Sequence, residues 1–173
     1  MYPRILVPLD GSRTAQLGLG EAVKLAKSQG SSLRLVHVVD ELVLLNAPEM
    51  SYDTGELIEV LKDDGRRILE KGAAHARKHG VKVQTSLVES FGGRAAQSIV
   101  DEAKKWHASL IVLGTHGRRG MKRIVMGSDA EEVVRNARMP VLLVRLGATP
   151  KGARAGDAAL LSRAAGLEAG CSS

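Results

Sequence analysis

The chain is poor in sulfur chemistry and in aromatic surface. One of its 173 residues is cysteine, Cys171. A lone thiol closes no internal disulfide and builds no cysteine-rich metal centre, and it suits a reducing compartment. Aromatic residues make up 2% of the chain, too few for the stacked-base platforms of single-strand-binding proteins. No apolar run approaches the roughly 18–20 residues that span a bilayer. Met1-Tyr2-Pro3-Arg4-Ile5 enters an apolar strand at once, without signal-peptide anatomy. These absences predict a cytoplasmic protein with no membrane partner. Gly-x-x-x-x-Gly-Lys-Ser/Thr is also missing, and no Gly-x-Gly-x-x-Gly follows the first apolar run, so neither standard phosphate fingerprint applies.

What is present is an alternation. Hydrophobic residues make up 44% of the chain, enough for a real core in a single domain of this length. Ile5-Leu6-Val7-Pro8-Leu9 reads as a buried strand, and Ala15, Leu19, Ala22, Val23 and Ala26 then recur at helical spacing up to Gly30. A second strand follows at Leu33–Val39, and residues 40–55 form a long connection that could act as a flap. Leu57, Leu61, Ile68, Leu69 and Ala76 mark a second helix stopped at Gly80. Val81–Val88 alternates as a half-exposed strand does. Ala96, Ile99, Val100 and Ala103 give a third helix, 110–113 a fourth strand, 129–137 a fourth helix and 140–144 a fifth strand.

Strands separated by helices need crossover connections, hence an α/β fold with an open five-stranded parallel sheet and helices on both faces. Strands one and four are continuously apolar, as central strands are, which predicts the order 3-2-1-4-5. The strand order then reverses between strands one and four, where such sheets bind ligands beyond their carboxyl ends. Asp10 leaves the first of these strands and Gly114 the other. The fifth strand is apolar on both faces, a poor edge, so pairing with a second copy through residues 141–146 is expected. From 147 to 173 the composition turns to Ala, Gly, Ser and Arg and reads as a flexible tail beyond a domain at 1–146.

The most informative stretch is 114–128, Gly-Thr-His-Gly-Arg-Arg-Gly-Met-Lys-Arg-Ile-Val-Met-Gly-Ser. It joins a strand to a helix start, where backbone N–H groups can surround a phosphate. It holds four basic residues, Arg118, Arg119, Lys122 and Arg123, and no acid, in a chain of net charge +6. Either a solvated loop or a polyanion site fits that charge. Ser128 also begins a capping-box pattern, Ser128-Asp129-Ala130-Glu131. His37 is expected to face the buried sheet.

Gly114-x-x-Gly117, nine residues, then Gly127-Ser128 is similar to the ATP-binding pattern of the universal stress protein family. Ile5–Ser12, Leu35–Asp40 and Met139–Val144 resemble that family's first, second and fifth strands, so the likeness covers residues 2–146. It implies an adenine nucleotide alpha hydrolase-like fold and ATP, alone or with Mg, as ligand. Pro8, Leu9 and Asp10 would approach from the first loop, with an Asx turn ahead of the first helix as the structural alternative for Asp10. Val38 would face adenine through its backbone. Gly114, Gly117, Gly127 and Ser128 would hold ribose and phosphates, with Asp129 at the helix start and Arg118 and Arg119 reaching the terminal phosphates. His116 is given no role. The resemblance implies a nucleotide-dependent stress-response module, commonly a homodimer, read by an unidentified protein partner. Robust catalysis is not expected, since no residue is marked as a base. A slow ATPase, an adenylating enzyme of a related adenine-binding fold and a basic nucleic-acid binder are the alternatives. The last is disfavoured by the scarcity of aromatics.

Overall fold

The computed structural model describes residues 1–40, 54–90, 92, 95–115 and 127–145. In chain order the elements are β1 (Arg4–Pro8), α1 (Arg13–Gln29), β2 (Ser32–Asp40), α2 (Thr54–Lys78), β3 (Val83–Ser90), α3 (Ala95–Lys105), β4 (Leu110–Gly114), α4 (Ser128–Asn136) and β5 (Val141–Val144). The five strands form one sheet in the order β3-β2-β1-β4-β5, every pair parallel. This is the order the apolar continuity of β1 and β4 predicts.

Alternation along the strands sorts the core into two layers. Ile5 and Val7 of β1, Leu33 and Leu35 of β2, and Leu110 and Val112 of β4 face α1 and α2. Leu6, Val36, Ile111 and Leu113 face α3 and α4, meeting Ile99, Val100, Ala130 and Val133. The apolar positions read at helical spacing in α1 are all buried. α2 approaches the sheet through two mid-helix glycines. A β-carbon at Gly65 would lie 2.5 Å from the His37 ring, and one at Gly72 would lie 2.7 Å from a Leu9 methyl. Each glycine costs about 1 kcal/mol of helix propensity relative to alanine, and here that cost allows a closer helix–sheet contact.

Three helices stop in the same way. Gly30 (φ 69), Gly80 (φ 75) and His107 (φ 54) take the left-handed conformation after α1, α2 and α3. Behind them Ser31, Val81 and Ala108 donate backbone N–H bonds to Ala26, Ala76 and Ala103, the six-residue closure of a Schellman motif. Only the first two stops carry a glycine signal in the sequence. The third strand begins at Val83 rather than Val81, because Val81 is still engaged in closing α2.

Candidate functional site

The carboxyl end of the sheet brings together three chain segments that are far apart in sequence. β1 ends at Pro8, and Leu9 then donates its N–H to the Val36 carbonyl at 2.7 Å. Asp10 follows, its carboxylate accepting from the Ser12 N–H at 2.9 Å in an Asx turn. Ser12 is the N-cap of α1, its hydroxyl accepting from the Ala15 N–H at 3.1 Å. The turn at Asp10 and the capping of α1 are therefore divided between two residues.

β4 ends at Gly114 against the first turn of α1. A β-carbon at Gly114 would fall 2.6 Å from the Thr14 carbonyl carbon and 2.7 Å from its oxygen. The space a side chain would need is occupied by backbone, so this glycine serves helix–strand packing first. Thr115 is buried, donates its N–H to the Val144 carbonyl at 3.0 Å, and accepts the Gly127 N–H at 2.8 Å. The two ends of the intervening segment are thus pinned to one point beside β5. Gly117 and Arg118, with His116, Arg119, Lys122 and Arg123, lie outside the described residues, as do most of the expected flap and the tail from 147.

The start of α4 differs from the capping-box expectation. Gly127, not Ser128, is the N-cap, with extended backbone (φ −61, ψ 147) and no side chain to close the helix end. The Gly127 carbonyl already accepts the Glu131 N–H at 3.0 Å, so Ser128 is drawn into the helix as its first residue. Ser128 and Asp129 are exposed there. The consequence is a helix N-terminus at the switch point whose own N-cap residue offers no hydroxyl, with a serine beside it. Such a terminus suits an anion.

Val38 stands on β2 two residues beyond Val36, the register partner of Pro8, and in register with Val88. Its side chain packs toward the α3/α4 layer, which leaves its backbone near the carboxyl edge. His37 faces the opposite layer, half-buried, with Nδ1 2.6 Å from the Leu9 carbonyl oxygen. A carbonyl only accepts, so Nδ1 carries the proton, and the ring ties β2 to the end of β1 just before Asp10. The structure therefore gathers Pro8, Leu9, Asp10, Val38, Gly114, Gly127, Ser128 and Asp129 at the same edge of the sheet. Thr14 and Thr115, which no motif singled out, shape that edge through their backbone contacts with Gly114, Val144 and Gly127, and the Thr14 hydroxyl also meets that of Ser12 at 3.1 Å.

Lys62 and Asp101, both on helices, are shifted from their ordinary values. Hydrogen bonding to Glu89 raises the Lys62 ammonium above its ordinary value. Hydrogen bonds from Gln97 and Lys104 hold the Asp101 carboxyl below its ordinary value. Among the described residues no group of three or more His, Cys, Asp or Glu is placed to hold a metal, and no helix is long and apolar enough to cross a membrane.

An open parallel sheet whose strand order reverses between β1 and β4, with helices on both faces, defines a doubly wound α/β protein of the adenine nucleotide alpha hydrolase-like type. Residues 1–145 match the model of the universal stress protein family. Universal stress protein MJ0531 of Methanocaldococcus jannaschii is 38% identical over 146 residues, 84% of this chain and 83% of that protein. A universal stress protein family structure from Burkholderia pseudomallei is 36% identical, with a TM-score of 0.67 over 83% of this chain and 96% of that one. The structure of MJ0577 superposes with a TM-score of 0.74 at 28% identity, covering 85% of this chain and 98% of that one. A more distant fold relative, the universal stress protein of Archaeoglobus fulgidus (24% identity, TM-score 0.58, 83% and 98% coverage), is a complex with dAMP. The chain belongs to the universal stress protein family.

Proposed function

We propose that this chain binds ATP at the crevice between β1 and β4 and acts as a nucleotide-dependent regulatory module. The observation that carries the reading is the start of α4, capped by a glycine without a side chain and held to the end of β4 by the Gly127–Thr115 hydrogen bond. It sets a helix N-terminus and the Ser128 hydroxyl where strand order reverses, on the edge that also bears Asp10. The first-turn dipole of α4 would face phosphates, and the backbone of Val38 would face the base. A dAMP complex in a protein of the same fold is consistent with an adenine nucleotide as ligand. Gly117 and Arg118 complete the proposed set from the loop, and Mg would ride on the phosphates. Cytoplasmic placement accords with the lone cysteine.

Equilibrium titration with ATP tests this reading. Gly127 has a backbone conformation open to any residue, so Gly127→Val strains no backbone while narrowing the approach to the ligand, and circular dichroism checks the fold. At least a tenfold loss of affinity, about 1.4 kcal/mol, is expected, and unchanged affinity dismisses the site. The Asp10 carboxylate is engaged by the Ser12 N–H, which suits a positioning role rather than a base. Single-turnover hydrolysis should therefore be slow in the wild type, and a phase abolished by Asp10→Ala would restore the ATPase alternative.

The same proposal includes a homodimer through β5. Among the described residues this strand pairs with β4 alone, and Leu142 on it is 38% exposed. Leu17 on α1, a helix that packs against β5, is a further exposed apolar side chain. A second copy would cover this edge. Sedimentation at micromolar concentration should give a dimer that Leu142→Lys dissociates, and a stable wild-type monomer removes this part of the proposal.

A further inference from the structure

We propose that the carboxyl end of α2 binds a borderline transition-metal dication through His75 and His79. His75 lies in the last turn of α2 and His79 directly follows it; this helix packs against β2 and β3 and ends beside the start of β3, at the opposite end of the sheet from the crevice. Residues four apart on a helix share a face, and here the two rings are in contact, with centroids 4.6 Å apart and planes at 47°. Both side chains are exposed.

Three features organise the pair for coordination. His79 is the last residue before the left-handed Gly80, and the Schellman closure by Gly80 and Val81 onto Arg77 and Ala76 fixes its backbone. The His79 Nδ1 atom sits 2.8 Å from the His75 carbonyl oxygen. Because that oxygen only accepts, Nδ1 holds the proton, and Nε2 is left with its lone pair facing outward. This is the second-shell arrangement that sets tautomer and ring orientation in histidine metal sites. Finally, the carboxyl end of a 25-residue helix carries partial negative charge, which favours a cation. Arg77 and Lys78 oppose that field, though Arg77 is turned to Glu70 at 2.8 Å.

Two imidazoles select the metal class. Nitrogen ligands suit Zn, Ni, Co and Cu, whereas Mg and Ca take oxygen. Two protein ligands leave the remaining positions to water, so this is an exchangeable surface site rather than a structural centre. It is distinct from any Mg carried by a nucleotide, and it stands whether or not the crevice binds ATP.

The test is calorimetric titration of the full, tag-free chain with zinc chloride and nickel chloride in a non-chelating buffer without nucleotide. One-to-one binding is expected, weakened at least tenfold by His75→Ala and by His79→Ala and unaltered by His107→Ala. Both substituted side chains are exposed, so the fold should survive, which circular dichroism checks. Magnesium chloride should give no binding at these residues, and nickel should bind more tightly than manganese. In nitrogen-15 spectra zinc should shift the Nε2 resonances of His75 and His79 while His79 Nδ1 stays protonated. Absence of saturable binding overturns the proposal. So does affinity that persists in the His75→Ala, His79→Ala double variant, or zinc shifts that spare these two rings.

Discussion

The two ends of the sheet are closed by different means. Toward the amino end, side chains carry the contacts. Arg34 on β2 donates to Glu102 of α3 at 2.8 Å and to Gln84 of β3 at 2.7 Å, and its guanidinium lies 4.9 Å over the Trp106 ring. Ser109 grips Arg4 twice, accepting from its N–H at 3.1 Å and donating to its carbonyl at 2.8 Å. At the carboxyl end side chains of Asp10, Ser12 and His37 tie turns locally, whereas β4 meets its neighbours by backbone, through Gly114 on Thr14, Thr115 on Val144 and Gly127 on Thr115. Side-chain networks hold one geometry firmly. Backbone contacts leave N–H groups and glycine surfaces at an edge where a ligand can approach. The division accounts for why the candidate site is written in glycines and the opposite end in Arg, Glu, Gln and Trp.

The comparison can be broken most severely at Gly114. Gly114→Ala places a methyl group within 2.8 Å of Thr14 backbone, and such overpacking should cost about 3 kcal/mol. Urea denaturation measures it, and a loss below about 1 kcal/mol would mean that α1 shifts freely off β4. Gly18→Ala, whose nearest new contact is 3.4 Å, is the matched control and should be far milder.

Next in size is Glu102→Ala at the amino end. The side chains of Arg34 and Glu102 are 21% and 8% exposed, and the Arg34 Nε is buried without a partner. Removing the carboxylate leaves the cation poorly compensated, at a cost of about 2 kcal/mol, below the fully buried range because Arg34 reaches water. ATP affinity should be unchanged, since this network lies across the sheet from the crevice. A parallel loss of nucleotide binding would show that the two ends are coupled.

The third prediction has the opposite sign. His107 holds a left-handed conformation at φ 54 that glycine adopts without strain, so His107→Gly should stabilise the chain by about 1 kcal/mol. A shift of the thermal midpoint upward checks it. The smallest effect belongs to Asp101. Its carboxyl is held below the ordinary value by Gln97 and Lys104, so its contribution is present above the unfolded carboxylate range. That contribution is lost as pH falls through the lowered folded value. Asp101→Asn should therefore cost only a few tenths of a kcal/mol near neutrality, as exposed pairs do, and nothing at strongly acid pH.

Strand order was legible because it follows from burial alone. Continuous apolar runs at β1 and β4 belong in the middle of a parallel sheet, and the half-polar β3 belongs at an edge. The helical faces were legible for the same reason. What the pattern did not contain was anything decided by tertiary contact. His107 ends α3 with no glycine to signal the stop, because closure by Ala108 onto Ala103 imposes it. The capping box at Ser128 was displaced by one residue because Gly127 is anchored to Thr115 and already supplies the first helical carbonyl. Gly114 carries a ligand-site motif, yet its nearest neighbour is Thr14. Glycine spacing records where a side chain is forbidden without recording what forbids it. Gly65 and Gly72 illustrate the same blindness inside α2, where propensity argues against glycine and the approach to His37 and Leu9 requires it.

The hydrogen bond between Gly127 and Thr115 joins the two borders of residues 116–126 like a clasp. Because the frame is latched on its own side of the clasp, changes of length within that stretch should reach the sheet only as loop-closure entropy, about 0.6 kcal/mol for each doubling. A fold built this way can exchange the stretch proposed to meet the ligand while keeping the part that keeps it folded. Ligand preference and stability are then able to drift separately, and two members of such a lineage can share a core while answering to different small molecules.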